Sequence, residues 1–323
     1  MNITITGNLG AGKTTIRDEL KKLGYNTLSG GDIFRKVAEE KGVSVVELNE
    51  MVKGDPTIDD EIDGMTTRLG KEVDNSVFDF RLGWHFVPDS FKVFLLIDPN
   101  VAATRVYEGN ARNAENYNSV EECSAALRKR ALIEKERFSD LYGINYYDAA
   151  NYDLIIESSY ATPEEITKEI IRCKELFESG DRSHRIELGI PGLYPTQHFS
   201  DLAEERLTAC MNEEKSDSSL CVSATIPVAV RDGYSYILKE QDRIFGGAAA
   251  GKKFANVQFD TSADAQNAII SLTQADLKAF EDFSGFTYIS DTQTPKDAFM
   301  MEFFKNETNK AGNLSNESFR LIL

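Results

Sequence analysis

Short apolar runs alternate with amphipathic stretches along the first 175 residues. Residues 2–6, Asn-Ile-Thr-Ile-Thr, alternate with the period of a short β-strand. A glycine-rich turn follows, and residues 14–20 carry a helical pattern that Gly24 ends. Residues 25–28 read as a second short strand. Residues 32–41 read as a helix with Asp32 at its N-cap and Gly42 as its stop. Buried strands are expected at 76–80 and 91–97, a charged amphipathic helix at 121–141 and a further strand at 152–156. Thr162-Pro163-Glu164-Glu165 opens another helix, with Thr at the N-cap, Pro at N1 and Glu at N3. Strands alternating with helices predict an α/β fold: a parallel sheet with helices on both faces.

The pattern changes near residue 178. Residues 178–183, Glu-Ser-Gly-Asp-Arg-Ser, have linker composition. Beyond them, 225–238 read as a hairpin turning at Asp232-Gly233. A helix is expected at 240–250, a strand at 254–259 and a long helix at 262–284; Gly246 to Gly251 suit close helix packing. Two domains are therefore expected, 1–182 and a smaller α+β domain over 183–323, with a cut at 182 leaving a soluble fragment.

Charge narrows the partners. Against 36 Lys and Arg stand 53 Asp and Glu, a net −17, which argues against general nucleic-acid binding. No apolar run approaches the roughly 20 residues of a membrane span. The N-terminus MNITITGNLG lacks the basic and apolar regions of a signal peptide, so a cytoplasmic location is expected. Four cysteines without a CxxC pair suggest reduced thiols, and three scattered histidines suggest no metal site.

The strongest chemical signal is Gly7-Asn8-Leu9-Gly10-Ala11-Gly12-Lys13-Thr14, which fits G-x-x-x-x-G-K-[ST] between an expected strand and an expected helix. Glycines let the loop wrap a phosphate with backbone N–H groups, and the helix adds its positive dipole end. This segment, with Thr15 beside it, is the candidate ATP-binding loop. Lys13 is placed to reach the β- and γ-phosphates and Thr14 to ligate Mg²⁺. Asp79 ends the apolar run Val77-Phe78, where such proteins keep a carboxylate for Mg²⁺.

The residues that follow resemble short-form, archaeal-type cytidylate kinases. The likeness is carried by Ser29-Gly30-Gly31-Asp32-Ile33-Phe34-Arg35, Asp55-Pro56 with Asp59 and Asp63, Phe80-Arg81-Leu82-Gly83-Trp84, then Arg130, Glu134 and Arg137-Phe138, and Leu141 to Asp148 with Tyr152 to Ile156. It runs in order across residues 1–175. Departures are Gly83 for a usual Ala, Ala131 for Glu, Asn145 for Asp, and an irregular lid around 108–112. The resemblance implies that Ser29, Gly30, Asp32, Arg35, Asp55 and Arg81 meet the acceptor, with Arg35 and Arg81 holding its monophosphate. It also implies that Arg130 and Arg137 approach the transferring phosphoryl group alongside Lys13. Seven residues apart, Arg130 and Arg137 share a helix face, and Glu134 between them can pair with either.

Residues 193–260 faintly resemble the ParB/sulfiredoxin-like fold, through Leu193 to Gln197, Ile226 to Val230 and Tyr234 to Arg243. There Glu240 replaces the glycine of the phosphate-cradling turn and only Arg243 survives, which implies lost chemistry at that turn and a silent Arg243→Ala for transfer. The expected activity is ATP-dependent phosphoryl transfer to a nucleoside monophosphate such as CMP or dCMP. Two alternatives stand beside it: a kinase for a modified nucleotide or other small metabolite, and a non-catalytic, ATP-responsive binding module.

Overall fold

The computed structural model describes residues 1–52, 57–109 and 117–288. Its first half is built on five strands: β1 (Ile3–Gly7), β2 (Asn26–Ser29), β3 (Ser76–Asp79), β4 (Phe91–Leu96) and β5 (Leu154–Glu157). All pair in parallel, in the order β2-β3-β1-β4-β5. Every residue of β1 is buried, as expected of a central strand covered on both faces. The helices are α1 (Lys13–Lys22), α2 (Gly30–Lys41), α3 (Val45–Val52), α4 (Thr57–Glu72), α5 (Gly83–Phe86), α6 (Pro99–Glu108), α7 (Val120–Tyr142) and α8 (Pro163–Glu178). Ile16 and Leu20 of α1 and Ile166, Ile170 and Phe177 of α8 pack with Ile3, Ile5 and Val93 into one core. Ile33, Val37, Ile58 and Leu69 cover Phe78 in another.

Helix α2 starts two residues earlier than its pattern suggests. Ser29 is the N-cap and Asp32 sits at N3, each side chain bonding the other's backbone N–H in a capping box. The Thr162 cap of α8 forms as read, with Pro163 at N1 and Glu165 closing the box.

The sheet does not stop at residue 178. Strand β6 (Arg185–Gly189) adds in parallel to β5, pairing Ile155 with Ile186. It then pairs antiparallel with β10 (Phe254–Phe259), which lies parallel to β8 (Cys221–Arg231). Strand β9 (Tyr234–Ile237) and the short β7 (Leu193–Tyr194) complete one ten-stranded sheet. Residues 178–183 thus connect α8 to the next strand of the same sheet, and Cys221 and Phe254 belong to the core that holds Ile156 and Phe177. Pairing covers the β5 edge, which would otherwise present a row of bare backbone groups.

The hairpin turns where expected, with Asp232 and Gly233 at φ 53° and 83°. Helices α9 (Glu204–Lys215), α10 (Gln241–Ala249), α11 (Ala263–Asn267) and α12 (Gln274–Ser284) pack around it. The long helix expected over 262–284 is two, because Thr273 and Asp276 form a capping box that starts α12 afresh. A Cβ at Gly246 would stand 2.9 Å from the Leu207 carbonyl oxygen of α9, so the glycine run does permit close helix contact. All four cysteines are buried free thiols, and among the described residues no helix is long and apolar enough to cross a membrane.

Glu240 holds φ 61°, the backbone shape a glycine would favour at the α10 N-cap. Arg243 is held by two acidic residues of α9. Its guanidinium lies 3.0 Å from Oε1 of fully buried Glu214 and 3.1 Å from Glu213, and it donates to the Ser223 hydroxyl at 3.1 Å. Removing it takes one cation from a buried carboxylate that keeps Lys252 at 3.7 Å and the Ser223 donors. Arg243→Ala is expected to cost about 2 kcal/mol of unfolding free energy in a denaturant titration, with turnover unchanged.

Candidate active site

The candidate site lies at the carboxyl ends of the parallel strands, where β1 runs into the glycine-rich loop. Register places Ser29 beside Asp79, and Gly7 beside Leu95. Gly7 has φ 149°, and a Cβ there would fall 2.4 Å from the Leu95 carbonyl oxygen. Only glycine passes this point. Asn8 anchors the loop from beneath: its N–H donates to Leu95 at 3.0 Å and its side-chain oxygen accepts from the Ile97 N–H at 3.3 Å. Gly10 and Gly12 also take positive φ, 81° and 83°. Gly12 is the N-cap of α1 and brings no side-chain cap, so no side chain occupies the first-turn N–H groups that suit an anion.

Lys13 folds back over the loop and donates to the Gly7 and Asn8 carbonyls, each at 3.3 Å. Burial, with the nearby Arg81 guanidinium adding to it, lowers its amine from 10.5 to about 7. The sign has a measurable consequence. The unfolded chain keeps the Lys13 proton up to about pH 10.5 and the folded chain releases it near 7, so the cost of burying the charge is fully present below 7 and fades as pH rises. Lys13→Met is therefore expected to raise the melting temperature most at pH 6, with the gain shrinking towards pH 10.

Arg81, just past β3, donates to the Gly7 carbonyl at 3.0 Å. Its Nε lies 2.8 Å from Glu134 Oε2 on α7, and Arg130 Nε lies 3.1 Å from Glu134 Oε1. Glu134 thus ties the loop side to the lid-side helix. Arg137 is exposed on α7, one further turn-pair along. Asp79 ends β3 with its carboxylate one-tenth exposed; desolvation raises its pKa, and Arg17 Nη1 stands 3.4 Å away. Thr14 and Thr15 are exposed on the first turn of α1. A largely buried carboxylate whose Arg17 contact is long, and an exposed hydroxyl on the first turn of α1, are oxygen donors of the kind Mg²⁺ takes.

The acceptor-side residues form a separate group. Ser29 Oγ donates to Asp32 Oδ2 at 2.6 Å, and Arg35 pairs with Asp32 Oδ1 at 2.6 Å. The Ser29 hydrogen bonds hold the Asp32 carboxyl at about 2. Gly30 opens α2 at Ser29's side, facing Phe80. Arg35 is exposed beside Asp32, while Arg81 is held between the Gly7 carbonyl and Glu134. Asp55 and Arg112 lie outside the described residues. Arg105 donates to the Ser158 carbonyl at 2.9 Å, which makes it a brace for the loop after β5.

Two residues were missed. Arg17 reaches Asp79, and its position four residues after Lys13 on the same helix face was the available signal. Tyr142 donates to Asp63 at 2.9 Å, closing α7 onto α4; burial raises the Asp63 pKa.

Residues 2–160 match the cytidylate kinase-like family. The chain is 35% identical over 172 residues to the cytidylate kinase of Methanobrevibacter smithii, covering 53% of this chain and 96% of that one. The chain belongs to the cytidylate kinase-like family. The cytidylate kinase of Thermoplasma volcanium is 33% identical over 171 residues, 87% of its length. The family's segment also matches 35% of a longer protein, the S-adenosylmethionine-dependent nucleotide dehydratase of Lacinutrix mariniflava, at 32% identity. A solved shikimate kinase from Bacteroides thetaiotaomicron aligns with a TM-score of 0.37 at 19% identity, covering 55% of this chain and 98% of that one. The cytidylate kinase-like segment ends near β5, so β6 to β10 are an addition to the sheet that the family match does not span.

Proposed function

We propose that this chain transfers the γ-phosphoryl group of ATP to a pyrimidine nucleoside monophosphate of the CMP or dCMP type. The observation that carries the reading is the juxtaposition of Lys13, Arg81, Glu134 and Arg130 at the mouth of the glycine-rich loop. Phosphoryl transfer needs positioned cations rather than a covalent nucleophile. The loop and Lys13 hold the ATP phosphates. Arg81 and Arg130 share the single Glu134 carboxylate, which leaves a net positive charge for phosphate oxygens. Thr14 and Asp79 would hold Mg²⁺, which when bound supplies charge neutralisation at the phosphates. The Ser29–Asp32–Arg35 group faces the acceptor.

The added strands carry no phosphate chemistry in this reading, because Arg243 is consumed by Glu213 and Glu214. The faint ParB/sulfiredoxin-like likeness of 193–260 then marks a shape and not an activity, and residues 183–323 act as an appended unit. A second reading, in which this unit presents a modified nucleotide, is favoured by the continuity of the sheet. Steady-state kinetics against CMP, dCMP, UMP, AMP, GMP and shikimate separate the two. The first reading expects kcat/KM to be highest for a cytidine monophosphate. Turnover of none of these acceptors, with ATP still bound, would favour the second.

A further inference from the structure

The seam where β6 joins the first five strands buries ligand atoms that phosphoryl transfer does not use. Glu169 and Cys173 stand one turn apart on α8, and Glu187 projects from β6 against them. Cys173 Sγ lies 3.3 Å from Glu187 Oε1 and 4.0 Å from Glu169 Oε1. Glu169 is 1% exposed and Glu187 0%. Arg172 spans both carboxylates, with Nη2 3.0 Å from Glu187 Oε1 and paired to Glu169 as well. One guanidinium therefore faces two buried carboxylates, and the Oε2 atom of each has no hydrogen-bond partner. A buried carboxylate oxygen left unmet is costly, so these two atoms point to a missing positive group.

The spacing fits a metal. Tetrahedral Zn²⁺, with Zn–S near 2.3 Å and Zn–O near 2.1 Å, sets an S···O edge of about 3.6 Å. The two Sγ···Oε1 distances bracket that value, on the oxygens that Arg172 holds and would yield to the ion. One sulfur and two carboxylate oxygens suit zinc better than the all-oxygen cations Mg²⁺ or Ca²⁺. Arg172 is the link to solvent. It lines a polar cleft of about 550 Å³ with Arg185, Ser219, Ser223 and Asn256 among others, while the three ligand residues lie buried behind it. Arg172 is 28% exposed, so it has room to release Glu169 into this cleft.

We propose that Glu169, Cys173 and Glu187 bind one zinc-class divalent cation, with water from the cleft as the fourth ligand. On binding, the Cys173 thiol gives its proton to solvent, any proton shared by the two carboxyls leaves with it, and an S–metal bond forms. The thiolate, two carboxylates, guanidinium and dication then sum to zero. Because α8 and β6 both contribute, the ion pins the added strands to the family's own sheet.

The test is a Co²⁺ titration of the full chain after chelator treatment, without nucleotide and under reducing conditions. The expected result is a thiolate-to-cobalt charge-transfer band in the near ultraviolet, saturating at one equivalent and bleached by Zn²⁺. Cys173→Ser should abolish the band, and Glu187→Gln should weaken binding at least about tenfold. Cys123→Ser, buried in a different helix, should keep it. Absence of the band in the wild-type chain, as when a proton alone bridges the two carboxyls, overturns the proposal. So does a band that persists in Cys173→Ser. The wild-type titration decides even where a variant fails to fold.

Discussion

Lys13→Ala lowers turnover by on the order of 10²-fold or more while the protein stays folded. The amine sits over the loop, bonded only to two backbone carbonyls at 3.3 Å, and burial has already lowered its pKa to about 7. The fold gains nothing from burying that charge. On the proposed reading its benefit lies in meeting phosphate charge, which strengthens as negative charge develops on the transferring group. The truncated chain should therefore melt no lower than the wild type, and single-turnover rates should carry the loss. Wild-type turnover by a folded Lys13→Ala protein would remove the loop from the chemistry.

Arg81→Ala is the second large effect. Arg81 combines a 3.0 Å bond to the Gly7 carbonyl with a 2.8 Å pair to Glu134, so its fork lies between the loop and α7. Loss of one charge-assisted fork to phosphate is expected to raise the acceptor KM by about 10²-fold, with ATP affinity changed by less than about threefold. Arg81→Lys should recover little, since an ammonium cannot present two parallel donors. A fall in ATP affinity with an unchanged acceptor KM would assign Arg81 to the ATP side instead.

The parallel strands were legible because their burial on both faces leaves nearly continuous apolar runs, as in Val77-Phe78 and Phe91 to Leu96. Thr162-Pro163 and Asp232-Gly233 were legible because their backbone shapes demand those residue types. Strand β6 was not. Its Arg-Ile-Glu-Leu-Gly carries a charge at a fully buried position, Glu187, and its antiparallel partner β10 begins some 65 residues later. Local pattern cannot announce a pairing of that separation. In the site, the glycine-rich segment was legible as the turn between β1 and α1, because Gly7, Gly10 and Gly12 take the positive φ that other residues avoid. The Glu134 bridge to Arg130 followed from helical spacing, but its second bridge to Arg81 is a tertiary contact. The Arg35 pair with Asp32 lies within α2 and is an i,i+3 contact that helical spacing allows.

The central claim is transfer of the γ-phosphoryl group through the Lys13 loop onto a cytidine monophosphate. Incubation with γ-labelled ATP, Mg²⁺ and CMP, followed by separation of the products, measures it directly. Label appearing in CDP with wild-type protein, and lost in Lys13→Ala, is the expected result. Label appearing only in inorganic phosphate, or equally in CDP from both proteins, would contradict it.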